Sequence, residues 1–267
     1  FKTRLIYNMT NNTKEILFSS HVQNSNDLTI DDLNRYLPAL RKIEDFTFEN
    51  HKTNEGVFYG LSSNGLRKIP ENTIDLIITE PPNFPILDTS RTRNNLTISE
   101  YLDWNRNWIN ESHRILKDIG SIYIICDWKL SSMYQSILNQ RFNIQTRISW
   151  KSETKEKLNN SPWIDKLYDI WFASKSSDYL FNDLEGVTRT NFWDDIIQFQ
   201  PREKEKYPKE LIKRIVEVSS YKLNWVLDPF SRVGDIGINA IEMGRRFIGF
   251  DANKDKILLS MKKIDRK

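Results

Sequence analysis

The sequence predicts an α/β protein built on a doubly wound sheet with helices on both faces, preceded by a small helical appendage. Three observations predict it. From about residue 55 onward, short apolar runs alternate with segments of helical periodicity. One of those runs, Ile74–Thr79, stops abruptly at Glu80-Pro81-Pro82. Near the C-terminus an apolar strand, a Gly-containing loop, a helix and a second strand ending in an acid follow one another.

The bulk numbers bound the reading. A chain of 267 residues buries one large core, or one core and a small appendage. With 39% hydrophobic and 28% charged residues it is a globular composition, not a disordered one. Eight Trp, ten Tyr and fourteen Phe are a generous supply: most are expected to fill core, and a surplus suits a surface that stacks on bases or rings. The net charge of +3, from 39 basic and 36 acidic residues, permits nucleic-acid binding without indicating it. Cys126 is the one cysteine, which excludes an internal disulfide and a thiolate metal cluster. His21, His51 and His113 show no metal spacing, so no metal site is expected. With no apolar stretch near twenty residues and no signal peptide, no membrane partner is expected and a cytoplasmic, reducing location is. The chain opens on Phe1, not Met, so a longer N-terminus is expected.

Residues 1–50 are polar and Asn-rich, with helical spacing at Leu28, Ile30, Leu33, Tyr36, Leu37 and Leu40. They read as an appendage too small to fold alone, ahead of a main domain over 51–267. Strands are expected at Ile74–Thr79, 121–126, 169–173, 225–227 and Arg246–Asp251. A helix over about 99–117 repeats Tyr101, Trp104, Trp108, Ile115 and Leu116 on one face, and Gly120 marks the turn into the next strand. Pro208 opens another helix carrying Leu211, Ile212, Ile215 and Val216. A further helix follows Gly237 and stops at Gly244. Residues 151–205 fit the alternation poorly. There Lys151, Lys155, Lys157 and Arg189 are interleaved with Trp163, Tyr168, Trp171 and Trp193. This is a pattern for phosphate contact and base stacking, or a solvated insertion whose aromatics pack inward.

Two constellations carry chemistry. Consecutive prolines remove two backbone donors and forbid helix, so Glu80 stands at the mouth of a stiff turn. A fixed carboxylate suits a site that holds a reactant still, or the turn is an ordinary Pro-rich loop. The second runs from Trp225 through Asp228, Pro229, Phe230, Ser231, Gly234 and Asp235 to the strand ending at Asp251. Doubly wound sheets hold an adenosine this way, with the loop beneath it and the second acid on the ribose hydroxyls. A plain βαβ crossover would show the same outline.

Together, TIDLIITEPPNF, YLDWNRNWINESHRILKDIGSIYIICDW, NFWDD and KYPKELIKRIVEVSSYKLNWVLDPFSRVGDIGINAIEMGRRFIGFD resemble the DNA amino-methyltransferases of restriction–modification systems. The catalytic strand precedes the cofactor loop, which is the permuted order of the β group, and the likeness runs from about residue 55 to the C-terminus. The resemblance implies a Rossmann-like methyltransferase sheet with S-adenosylmethionine as cofactor. It further implies a double-stranded DNA partner whose target base is flipped out of the stack, and a second methyltransferase subunit as a further candidate partner. It assigns 151–205 to target recognition; the loop residues Arg91 and Arg93 are expected separately to meet phosphate.

In that family an Asp (or Ser, or Asn)-Pro-Pro-aromatic motif binds the two amine hydrogens through a side chain and a backbone carbonyl, and the aromatic stacks on the base. Position by position, Glu80 stands for the acid, the Pro81 carbonyl is the second acceptor with Pro82 behind it, Asn83 takes the aromatic position and Phe84 follows one residue late. The cofactor residues carried over are Asp228, Pro229, Phe230, Ser231, Gly234, Asp235 and Asp251. Arg232 replaces the loop's first glycine, Asp235 a Thr, and Leu61 the acid expected after Gly60. Three functions follow. The first is a methyltransferase acting on adenine N6 in preference to cytosine N4, because a carboxylate is kept at position 80. The others are an inactive subunit that binds DNA or partners an active one, and a methyltransferase acting on RNA or protein.

Overall fold

The computed structural model describes residues 28–49, 53–83, 96–152, 166–185, 189–196 and 207–265. Residues 1–39 and 40–267 form two units. In the first, helix α1 (Ile30–Tyr36) starts at a capping box: the Thr29 hydroxyl accepts the Asp32 N–H, and the Asp32 carboxylate accepts the Thr29 N–H at 2.8 Å.

The second unit is one eight-stranded sheet flanked by helices. In chain order it runs β1 (Gly56–Tyr59), α2 (Ser62–Lys68), β2 (Ile74–Thr79), α3 (Ile98–Ile115), β3 (Leu116–Cys126), α4 (Trp128–Leu138), β4 (Asn143–Lys151) and β5 (Leu167–Ser174). It continues with β6 (Phe192–Trp193), α5 (Lys209–Ser219), β7 (Trp225–Asp228), α6 (Asp235–Glu242), β8 (Arg246–Asp251) and α7 (Lys254–Asp265). The strand order is β1-β8-β7-β2-β3-β5-β4-β6. The first five strands in that order are parallel, and β5 is antiparallel to both β3 and β4. Helices α2, α3 and α4 cover one face through Leu66, Trp108, Ile109, Tyr134 and Ile137. The other face is covered by α5, α6 and α7 through Leu211, Ile215, Ile236, Ala240 and Ile257. The doubly wound expectation is met.

A central parallel strand is buried on both faces, which is why β2 reads as an unbroken apolar run. Ile74, Leu76, Ile77 and Ile78 are fully buried, each contributing about 1.5–3 kcal/mol of apolar transfer. Asp75 interrupts the run and is satisfied on both oxygens. Lys117 Nζ donates to one at 2.7 Å and the Trp225 N–H donates to the other at 2.8 Å. One acid thus ties β2 to its neighbours β3 and β7.

Several boundaries move. The strand expected at 121 begins at Leu116, because the β2–β3 register jumps from Ile74↔Leu116 to Leu76↔Ser121. Gly120 lies inside that irregularity, where a Cβ would meet the Lys117 carbonyl at 2.9 Å. Helix α6 starts at Asp235, ahead of Gly237, and Pro208 is the N-cap of α5. Elements β1, α2, α4, β4, β6 and α7 had no counterpart in the sequence reading. Within 151–205, β5 is an internal strand with Ile170, Trp171, Phe172 and Ala173 buried, and Trp193 is buried on β6. Those aromatics pack inward. Trp163 lies outside the described residues.

Replacing Asp75 by Ala should destabilise the chain by about 2–4 kcal/mol, since it leaves the Trp225 N–H unpaired in the core. Urea denaturation followed by tryptophan fluorescence measures this, and Asp75→Asn should retain part of the loss.

Candidate active site

Connections leave β2 and β7 in opposite directions: β2 leads on toward β3 and β7 toward β8, while the two strands lie side by side. The crevice outside their carboxyl ends is the switch point of the sheet, where open α/β sheets bind ligands. Both constellations meet there. At the tip of β2 the Thr79 hydroxyl donates to Asp228 Oδ1 at the tip of β7, 2.7 Å away and fully buried.

The turn after β2 is braced from α3. Tyr101, in the first turn of that helix, donates its hydroxyl to the Pro82 carbonyl at 3.2 Å and lies 3.5 Å from the Tyr134 hydroxyl. Pro81 is buried and Asn83 is exposed. The Pro81 position is thereby fixed on both sides. Phe84 lies outside the described residues.

The loop after β7 closes on itself. Asp228 Oδ1 also accepts the Phe230 N–H at 3.0 Å, the Ser231 N–H donates to the Phe250 carbonyl at 2.8 Å, and Asp251 Oδ2 accepts the Arg232 N–H at 2.9 Å. Phe230 turns inward, packing 5.1 Å from Trp104 and edge-on to Trp108 at 5.4 Å. Arg232 has φ +49° and Gly234 φ +81°, the left-handed region that favours glycine. A Cβ on Gly234 would also stand 2.1 Å from Ser260 Oγ. Leu61, in the acid's place after Gly60, is the N-cap of α2 and makes no side-chain hydrogen bond there.

The two loops join through an ion pair. Arg232 Nη1 reaches Glu80 Oε2 at 2.5 Å. Tyr207, fully enclosed at the mouth of α5, shares the same cleft with Glu80, Asp228, Phe230, Ser231, Arg232, Asp235 and Ile236. The cleft encloses about 20 Å3, room for about one water. Burial would lower the Arg232 guanidinium, but the charge of the Glu80 carboxylate and its hydrogen bond oppose burial, and the guanidinium is held above its ordinary value. Burial, reinforced by Glu80, keeps the Tyr207 phenol well above its ordinary value and so protonated. Asp235 is engaged by Lys263 Nζ at 2.6 Å and adds only a lesser stabilisation to Arg232. Burial pushes the Asp228 carboxyl up to about 7 against the opposing bonds from Thr79 and Phe230. Asp251 is raised by burial too, and each of its oxygens accepts one backbone N–H, from Arg232 and Asn253.

The structure places Glu80, after β2, at the same sheet edge as Asp228 and Asp251, the two strand-end acids that the sequence pairs. Sequence reasoning missed Thr79, Tyr101 and Tyr207. Thr79 had a signal, a hydroxyl directly before the turn. Tyr207 stands just before Pro208, at the helix mouth facing that edge. Of the basic residues, Lys151 is exposed at the end of β4, and Arg189 is exposed and paired with Asp183 at 2.8 Å. Arg91, Arg93, Lys155 and Lys157 lie outside the described residues. Among the described residues no cluster of His, Cys, Asp or Glu is arranged to hold a metal, and no helix is long and apolar enough to cross a membrane.

The model of the DNA methylase family, the N6/N4 type, matches residues 74–262. The chain belongs to that family. The type II methyltransferase M.HpaI of Haemophilus parainfluenzae is 27% identical over 224 residues, covering 75% of this chain and 71% of that one. The DNA adenine methyltransferase YhdJ of Escherichia coli K12 is 26% identical over 250 residues, 78% of this chain and 82% of its own. Among solved structures, the cytosine-N4-specific PvuII DNA methyltransferase superposes with a TM-score of 0.63 at 18% identity, covering 85% of this chain and 93% of that one. M1.HpyAVI in its SAM complex gives 0.61 at 18% identity, over 79% and 98%. These share the fold. The chain is a DNA methylase by family, and S-adenosylmethionine is the ligand of the M1.HpyAVI complex. Its own residues fit that cofactor on the loop side: Ser231 Oγ lines the cleft and is buried without a hydrogen-bond partner.

The raised Asp228 value has a consequence for stability. Its folded value lies above the ordinary aspartate value near 3.9, so its contribution is complete below about pH 4 and is lost as pH rises to about 7. Asp228→Asn keeps the acceptor oxygen for Thr79 and Phe230. It should therefore gain on the wild type by roughly 2–4 kcal/mol between pH 4 and pH 8. Calorimetric unfolding of both proteins across that range checks the sign.

Proposed function

We propose that this chain transfers a methyl group from S-adenosylmethionine to the exocyclic amine of a flipped base in duplex DNA, with adenine N6 as its target. The observation that carries the reading is the placement of Glu80, a carboxylate on the braced turn at the switch point, against the cofactor loop. Cytosine N4 is the other member of the class, and the retained carboxylate is what favours adenine.

An exocyclic amine is a poor nucleophile because its lone pair is conjugated with the ring. Glu80 and the Pro81 carbonyl accept its two hydrogens, which turns the lone pair out of the ring plane and toward the donor. Phe84 is the residue assigned to stack on the flipped base. When bound, S-adenosylmethionine supplies the electrophilic methyl group. Asp251 would take its ribose hydroxyls, using carboxylate lone pairs beyond the two N–H bonds it already accepts. Asp228, Pro229, Phe230, Ser231, Gly234 and Asp235 form the loop beneath it. Lys151, Lys155, Lys157, Arg189, Arg91 and Arg93 are assigned to DNA phosphates, within or beside the recognition stretch 151–205.

A second reading is an inactive methyltransferase-like subunit that binds DNA or partners an active one. The small cleft favours it, and so does the Arg232 guanidinium on Glu80, whose charge would repel a cofactor sulfonium brought near it.

Unmethylated genomic DNA treated with the protein and S-adenosylmethionine, then digested to nucleosides and weighed by mass spectrometry, separates these. N6-methyladenine is expected. N4-methylcytosine would move the target, and no methylated nucleoside would favour the second reading.

A further inference from the structure

We infer that Arg232 is a positioning residue that sets where the Glu80 carboxylate stands, so that Glu80 and Arg232 work as one matched pair. The inference rests on the amino-methyltransferase reading above and adds to it a reason for both departures from the family pattern.

Glutamate carries its carboxylate about 1.5 Å farther from the backbone than aspartate, against a placement tolerance near 0.5 Å for catalytic groups. Something must fix the longer arm. Arg232 is 152 residues away in sequence, yet its guanidinium meets that carboxylate at 2.5 Å. Two unrelated losses would not be expected to place a cation on an anion. The Arg232 backbone is pinned, with φ +49° and its N–H on Asp251 Oδ2, so the side chain leaves the loop from a fixed origin. A non-glycine residue in that conformation is strained and persists where its surroundings hold it. Asp235, the neighbouring acid, is occupied by Lys263. Tyr207 lines the same cleft. Arg232 holds one oxygen of Glu80, and a carboxylate has lone pairs enough on the other to accept an amine hydrogen.

The test is a cycle of full-length proteins: wild type, Glu80→Asp, Arg232→Gly and the double variant. Methyl transfer to unmethylated DNA is measured at saturating DNA and cofactor, alongside calorimetric S-adenosylmethionine binding and thermal unfolding. Each single variant should lose about tenfold or more in turnover, and the double should return to within about threefold of wild type. Arg232→Gly should unfold no earlier than wild type, because glycine relaxes the left-handed backbone, and Arg232→Lys should fall between it and wild type in turnover. A double variant as slow as the product of the two singles overturns the matched pair. So does an Arg232→Gly protein whose turnover, cofactor affinity and unfolding temperature all fall together, which is a structural role only. Failure of the function itself looks different: no protein of the set, wild type included, would transfer a methyl group.

Discussion

Glu80 and Arg232 join two loops that leave adjacent strands at the centre of the sheet, and the site exists in this form because they meet. Each loop is otherwise fixed from its own side. The turn after β2 leans on Tyr101 through the Pro82 carbonyl, and the loop after β7 leans on Asp228, Phe250 and Asp251. The ion pair converts two rigid but separate edges into one cleft. It is partly exposed, with side-chain accessibilities of 38% for Arg232 and 17% for Glu80, so its value lies in geometry more than in net stability.

The buried Thr79–Asp228 hydrogen bond sits directly beneath it. Asp228 is buried beneath the cleft, and burial is the main reason its carboxyl rises, with smaller contributions from the neighbouring acids Asp251 and Glu80. Such a group weakens the fold near neutral pH, a burden expected at functional sites rather than in plain crossovers. Arg232 offsets part of those acids' charge with a positive one, at the expense of a strained backbone.

Much of this was legible in the sequence. Strands β2 and β8 fall where their apolar runs begin and end, because a parallel strand buried on both faces leaves a continuous signal. The helix α3 was visible from Trp104 and Trp108, and both functional loops from their prolines and acids. Short or amphipathic elements left too little: β1 has four residues, β6 two, and α2 carries Asn and Gly inside it. Within 151–205 the basic residues flank β5, and Trp171, Phe172 and Trp193 are core while Phe181 and Phe192 are exposed, a division that composition alone does not show. No one-dimensional pattern joins position 80 to position 232. Both departures were visible as single residues, yet only their contact shows them to be complementary in charge and reach.

The most direct test of the account is a crystal structure of the wild-type chain with S-adenosylmethionine bound. Arg232 should remain within hydrogen-bond distance of Glu80, with the cofactor's ribose hydroxyls on Asp251. A bound cofactor with Arg232 swung away from Glu80 would contradict it, showing the pair to be a closure that the cofactor displaces rather than a support for the acid.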